Sequence, residues 1–347
     1  MVGAGAAGFF AAINCAEKNP DYQVTILEKS PKFLAKVKIS GGGRCNVTHA
    51  CFEARQLVKN YPRGEKQLTG PFTRFNPTHT IEWFESRGVE LKTEEDGRMF
   101  PASNTSQTIV NCFWNEARRL GIKVEMQCGV ESIARAGDKW SLETSNGYLS
   151  ADAVIVTTGG TVQVWKLLQR LGHNIVEPVP SLFTFNIKDE RIKGLEGVSV
   201  PNAQVKIKDT KLSAEGPLLI THWGLSGPGV LKLSAWGARE LAAINYQFDI
   251  DVNWLGTKTT AQLIEALKNY KQQHPKQTIG KNNLFGVPTR LWLSLLTAGA
   301  GAGALTQNFA DLSNKTIELI ASMLTASQFK VNGKSTFKEE FVTAGGV

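Results

Sequence analysis

Six residues near the amino end, Gly3-Ala4-Gly5-Ala6-Ala7-Gly8, constrain this chain more than any other stretch. An apolar run, Phe9 to Ala16, follows them, then the break Asn19-Pro20-Asp21 and a strand-like Gln23-Val24-Thr25-Ile26-Leu27 that ends in Glu28. A G-x-G-x-x-G loop, a helix, a strand and an acid 20 residues beyond the last glycine read as a dinucleotide-binding unit. Each part has a physical reason. Gly3 permits the tight turn, Gly5 lets backbone N–H groups approach a pyrophosphate, and Gly8 lets helix and strand pack closely. The helix start, at Ala6 and Ala7, brings partial positive charge to the anion. Glu28, followed by Lys29, accepts hydrogen bonds from ribose hydroxyls. An acid there favours an unphosphorylated ribose, hence FAD or NAD over NADP, without separating those two. Only Met1 and Val2 precede the loop, so the strand expected before it is nearly absent.

A second glycine-rich stretch runs from Lys36 through Ser40-Gly41-Gly42-Gly43-Arg44-Cys45-Asn46 to Thr48. Three consecutive glycines expose backbone donors at no side-chain cost. Arg44 pairs with a phosphate or orients a neighbouring carboxylate. Further on, Ala153-Val154-Ile155-Val156 reads as a fully apolar strand closed by Thr157-Thr158-Gly159-Gly160, the pattern of a buried strand that carries backbone close to a ligand.

Together these stretches resemble the aminoacetone-oxidase-like FAD flavoproteins, a bacterial group of oxidoreductases often labelled NAD(P)/FAD-dependent. The Ser-Gly-Gly-Gly-Arg-Cys-Asn string at 40–46 is the most specific match. The resemblance implies FAD as cofactor, with residues 41–46 along it near the isoalloxazine and Lys36 as the basic residue that leads the motif. It also implies that backbone around Val130 touches the adenine, and that Thr157 to Gly160 close the dinucleotide-binding part, with Thr157 in an alanine's place. Phe100-Pro101-Ala102-Ser103 and Thr221-His222-Trp223-Gly224-Leu225-Ser226-Gly227-Pro228 match further family elements. His222 is a candidate proton donor or acceptor, although a single histidine of this kind more often serves structure. The family continues past Thr343-Ala344-Gly345-Gly346-Val347 with more glycine-rich FAD contacts, so the resemblance implies a chain shortened at both ends. One branch of the family oxidises amines and another reduces unsaturated steroid-like substrates, so no substrate carries over.

At 347 residues, a prior of about 150 per domain gives two or three domains. The expected fold class is mixed α/β. A Rossmann-like FAD-binding domain, 1–180 rejoined by 336–347, holds an inserted β-rich substrate domain, 181–256 with 325–335, and a helical insertion, 257–324. The glycine alternation from Gly299 to Ala304 follows a helix-like run rather than a strand, so it is not a second nucleotide loop. Any NAD(P)H would therefore meet the flavin directly, as a transient reductant. The +8 charge suits anionic ligands. With no basic stripe interleaved by aromatics and no zinc-finger spacing, nucleic acid is not an expected partner; a small-molecule substrate is. The five histidines lack metal-ligand spacing. Five cysteines without a C-x-x-C read as a reducing compartment, the cytoplasm by default. Neither apolar run, Met1 to Ile13 or Leu291 to Leu305, is long enough to span a membrane. Two rival readings remain: thiol redox through Cys45 and Cys51, and a catalytically silent dinucleotide-binding protein.

Overall fold

A computed structural model of the chain describes residues 1–335 and 342–347; of the segment expected to rejoin the FAD domain, 336–341 lie outside the described residues. The chain divides into two compact units, Met1–Val176 with Gly346–Val347, and Glu177–Gly345.

In the first unit the elements run α1 (Ala6–Lys18), β1 (Thr25–Leu27), α2 (Ala35–Gly43), β2 (Thr48–His49), α3 (Ala54–Leu57), α4 (Glu65–Arg74), α5 (Pro77–Glu85), β3 (Leu91–Thr93), β4 (Arg98–Pro101), α6 (Ser106–Arg119), β5 (Lys123–Glu125), β6 (Val130–Ala136), β7 (Lys139–Thr144), β8 (Gly147–Ala151) and α7 (Val162–Arg170). The short strand before the glycine loop is not missing. Val2 forms parallel bridges to both Leu27 and Val156, and β1 pairs in parallel with β5. Val2 N donates to Ile155 O at 2.9 Å, and Gly3 N donates to Leu27 O at 2.8 Å. Two residues thus do the work of a central strand. Among the described residues the stretch 153–156, expected as a buried strand, is bridged at Val156 alone, and Ile155 is 45% exposed.

Helix α1 turns Phe9, Ala12, Ile13 and Ala16 to the core at helical spacing. Phe9 meets Phe33 and Phe113 at ring-centroid distances of 5.6 and 6.1 Å, and α6 adds Ile109 and Ala117. Helix α5 starts where Asn76 and Pro77 place it: Asn76 Oδ1 accepts from Thr78 N at 2.9 Å, and His79 Nδ1 accepts from Asn76 N. Strands β6 to β8 form an antiparallel meander.

The second unit contains β9 (Val176–Ser181), β10 (Thr184–Asn186), β11 (Ser199–Ile207), β12 (Ser213–Thr221), β13 (Gly224–Ser226), α8 (Pro228–Trp236), α9 (Ala238–Ala243), β14 (Gln247–Asn253), α10 (Thr260–Gln273), α11 (Thr289–Ala300), α12 (Asn314–Thr325), β15 (Ser327–Asn332), β16 (Lys334–Ser335) and β17 (Val342–Gly346). Seven strands form one antiparallel sheet in the order β15-β14-β11-β12-β13-β10-β16. The helical stretch 257–324 has no core of its own. Leu267, Trp292, Leu295 and Ile320 join Val205, Ile250, Val252 and Phe329 in one cluster. Ser313 Oγ caps α12 by accepting from Thr316 N at 3.0 Å, and Thr259 with Gln262 forms a capping box on α10. Helix α11 runs through Gly299 to Ala300 and Gly301 caps it at φ +81°, so this glycine alternation begins as a helix end. Among the described residues no helix is long and apolar enough to cross a membrane.

Candidate cofactor site

The three glycines of the first loop have different reasons to be glycine. Gly3 sits at φ +110°, and a Cβ there would lie 2.8 Å from Thr157 O. At Gly8 a Cβ would drive into the Gly3 carbonyl oxygen and stand 2.9 Å from Thr157 Oγ1. The protein itself demands both. Gly5 is different: its backbone is ordinary extended, φ −86° and ψ −174°, and an added Cβ meets nothing within 4 Å. Nothing in the chain forbids a side chain there, so the space is kept open for something else. Gly5 also caps α1 without a side-chain hydrogen bond, and Ala6 and Ala7 are exposed. First-turn N–H groups facing an open space at a helix start fit a diphosphate.

Glu28 is wired to that loop. Its Oε2 accepts from Ala4 N and its Oε1 from Ser30 N, each at 2.9 Å. A carboxylate has about four acceptor positions, so two stay available for ribose hydroxyls. Lys29 beside it is exposed. Cys128 N donates to Glu28 O at 2.8 Å, which brings the start of β6, with half-buried Val130, to the tip of β1. Across the loop, the Thr157 hydroxyl reaches Val2 O at 2.9 Å and Gly3 O at 3.0 Å. The Thr157 side chain therefore ties residue 157 to the backbone at Val2 and Gly3. Thr158 is half-buried, while Gly159, at φ +66°, and Gly160 are exposed.

The second loop is attached to the first through Leu34, whose N–H donates to Ala4 O at 2.8 Å. After Lys36, exposed on α2, the backbone leaves the helix at Ser40 (ψ 150°), and Gly41, Gly42 and Gly43 take φ of +57°, +69° and +82°. Cys45 N returns to Ser40 O at 3.0 Å. A Cβ on Gly41 would stand 2.9 Å from both Asn46 N and the Phe100 ring, whereas Gly42 and Gly43 face open space. The Asn46 amide nitrogen is placed to donate to Thr48 O at 2.9 Å and Met99 O at 3.2 Å.

Of the two roles open to Arg44, the fold shows the second. Nη1 lies 2.5 Å from Glu94 Oε1, and the guanidinium sits 4.0 Å above the Phe100 ring. Glu94 and Phe100 lie 50 and more residues away, and no local pattern announces them. A lysine keeps the charge but loses the planar stack and the fork. Arg44→Lys is therefore expected to weaken FAD about tenfold, worth roughly 1.4 kcal/mol; flavin-fluorescence titration reads it, and unchanged affinity means that charge alone matters.

Burial pushes the Cys45 thiol above its usual range, with the Ser40 hydroxyl pulling weakly the other way. A protonated buried thiol is a poor nucleophile, which removes support from the thiol-redox rival; all five cysteines are free. Burial, with Glu116 nearby, pushes Cys112 up to about 11. The folded chain then holds this proton where the unfolded chain, near 8.5, has lost it, so stability is complete below that pH and falls as pH rises toward 11. Urea unfolding is expected to show about 2 kcal/mol more loss between pH 8 and 11 in the parent chain than in Cys112→Ala. Equal losses would mean that the thiol does not carry the effect.

Gly3 to Gly8, Glu28, Lys29, Lys36, Ser40 to Asn46, Val130 and Thr157 to Gly160 all belong to the first unit. His222 belongs to the second, on the turn between β12 and β13, with its side chain 84% exposed and Nδ1 3.8 Å from Glu196 Oε1.

The family profile described as HI0933-like protein Rossmann domain matches residues 1–347. The chain belongs to this family. A ribosomal RNA dihydrouridine synthase of Escherichia coli (strain K12) is 24% identical over 359 residues, covering 100% of this chain and 84% of its own. A 3-dehydro-bile acid delta(4,6)-reductase of Clostridium scindens is 25% identical over 360 residues, covering 100% and 86%. Among solved structures, the open conformation of a flavocytochrome c3 fumarate reductase overlaps 58% of this chain and 46% of its own, at 19% identity and a TM-score of 0.37.

Proposed function

We propose that this HI0933-like chain is an FAD-dependent oxidoreductase that reduces a small organic substrate at a carbon–carbon double bond conjugated to a carbonyl. The observation that carries the cofactor half is the open space at Gly5, beside two glycines that the protein needs for itself. The substrate half rests on two relatives whose names describe one kind of bond. Dihydrouridine is uridine with two hydrogens added across a ring bond conjugated to a carbonyl, and a delta(4,6) unsaturation extends from the 3-keto group of the bile acid. When bound, FAD supplies the electron pair for such a reduction. The chain's own residues do the rest. Gly5, Ala6 and Ala7 would hold the diphosphate, Glu28 would hold the ribose, and backbone from Gly41 to Asn46 would face the ring system. The Cys45 thiol, which burial holds protonated, is the candidate source of the accompanying proton within the first unit. NADH or NADPH serves as a transient reductant.

Anaerobic stopped-flow titration tests this reading. The FAD-loaded protein is reduced with NADPH, NADH or dithionite, then mixed with a cyclic enone, with uridine or with aminoacetone. Return of the oxidised flavin band with the unsaturated carbonyl compounds supports it. Bleaching of the oxidised form by aminoacetone, with no response to enones, would favour the amine-oxidising branch that the sequence resembles. No response to either would favour a dinucleotide-binding protein without turnover.

A further inference from the structure

We propose that the second unit binds an uncharged carbonyl compound on one face of its sheet, with the Asn186 side-chain amide as the hydrogen-bond donor. In the reduction proposed above this compound is the substrate, so that role rests on that reading; the binding itself does not. Strand register assembles the face. Residues paired across antiparallel strands share a face, and neighbours along a strand alternate between faces. Across β12, β13, β10 and β16 one row reads Leu219, Ser226, Thr184 and Ser335. The next reads Thr221, Gly224 and Asn186, then Gly333, whose carbonyl accepts from Asn186 N at 3.0 Å. Ile220, Leu225 and Phe185 point the other way, into the core.

The same sheet face is charged at its far end. There Lys206 is paired with Asp251, and Asp249 with Lys330, as on an outer face turned to water. None of the eight positions around Asn186 carries a charge, and only Leu219 is large and apolar. Short polar groups link to one another instead. Thr184 Oγ1 and Ser226 Oγ lie 3.0 Å apart, and Ser335 Oγ donates to Asn186 Oδ1 at 2.8 Å. Within its row Asn186 has a glycine on each side. A Cβ on Gly224 would drive into the Phe185 carbonyl oxygen, so the fold itself excludes a side chain there. A Cβ on Gly333 would meet only Asn186 Nδ2, at 3.7 Å, so the space beside the amide is open. Asn186 is half-buried, and among the described residues its Nδ2 has no acceptor. A free donor in a half-buried slot, with hydroxyls beside it, can fix the orientation of a carbonyl oxygen. A carboxylate or phosphate fits worse. It would lose water without meeting a cation, because Lys334 is paired with Phe185 and so lies on the opposite face, 5.0 Å from the Tyr246 ring centroid.

Ligand-observed NMR titration of the oxidised, FAD-loaded protein tests this without turnover, with 2-cyclohexenone, crotonamide and crotonate as probes. The parent is expected to bind the ketone and the amide, and to bind crotonate, an anion of the same size, at least about tenfold more weakly. Asn186→Leu weakens both neutral compounds about tenfold, the effect of one hydrogen bond. Asn186→Asp, which puts an acceptor in the donor's place at neutral pH, does the same. FAD uptake and urea midpoints of both variants match the parent; should a variant fail to fold, the crotonamide and crotonate pair in the parent still decides. Equal binding of those two by the parent, no binding of either neutral compound, or parent-like binding by both variants would each overturn the proposal. Asn186-dependent binding of 2-cyclohexenone without reoxidation of reduced flavin would keep this face and remove the reduction reading. Reoxidation undiminished in both variants would keep that reading and remove this face.

Discussion

Gly5→Ala is expected to fold as well as the parent chain and to lose FAD, while Gly8→Ala is expected to lose the fold. At Gly5 the backbone is one that alanine adopts freely and no atom stands within 4 Å of the new methyl. Alanine is a poorer helix cap than glycine, but it also has less freedom to lose from the unfolded chain. The two terms are each about 0.5–1 kcal/mol and opposed. Net stability should therefore stay within about 1 kcal/mol. The methyl does occupy the space a diphosphate needs, and a displaced charge-assisted contact at a helix start is worth about 3 kcal/mol, or more than a hundredfold in FAD affinity. At Gly8 the methyl meets backbone, the Gly3 carbonyl, and the Thr157 hydroxyl. Neither can withdraw, because Gly3 N is bonded to Leu27 O and the Thr157 hydroxyl to Val2 O and Gly3 O. Alanine inside a helix is intrinsically favoured by about 1 kcal/mol. A measured loss of roughly 3 kcal/mol or more is therefore the clash alone. Urea melts of the apoproteins beside FAD titrations separate the two cases. Equal loss of stability in both variants would mean that the space at Gly5 is not a ligand space.

Glu28→Ala carries the second large effect. The carboxylate accepts from Ala4 N and Ser30 N, and hydrogen bonds to charged groups contribute about 1.5–3 kcal/mol each. Removing it leaves both donors without that acceptor and frees the loop from the strand tip. Apoprotein stability should fall by about 2–4 kcal/mol, and FAD affinity by at least tenfold. Glu28→Gln keeps one acceptor oxygen and should recover about half the stability but not the full affinity, since an amide is a weaker acceptor for ribose hydroxyls. If Glu28→Ala unfolds at the same urea concentration as the parent, the acid does not organise its own loop and the wiring described above fails.

The parts of this site that could be read from sequence are those whose cause is local. The turn at Gly3 and the close packing at Gly8 each depend on a few adjacent residues, and each stands where the sequence placed it. What escaped reading depends on partners far along the chain. Arg44 is as ready for a phosphate as for a carboxylate, and only the fold delivers Glu94 and Phe100 to it. Glu28 was read as a ribose acceptor alone, whereas half of its acceptor positions are used by the loop it follows. The stretch 153–156 has the composition of a buried strand, yet among the described residues it is bridged at Val156 alone. The helices between 257 and 324 have the spacing of an independent subdomain, yet their apolar faces close over the antiparallel sheet, and periodicity does not say what a face will meet.

Stripping the purified protein of flavin and titrating FAD back by isothermal calorimetry, in parent and Gly5→Ala side by side, tests the central claim most directly. One FAD per parent chain, with heat of binding abolished by a single methyl that leaves the urea midpoint in place, is the predicted outcome. Uptake of FAD by Gly5→Ala as tight as by the parent would place the diphosphate elsewhere and contradict the account.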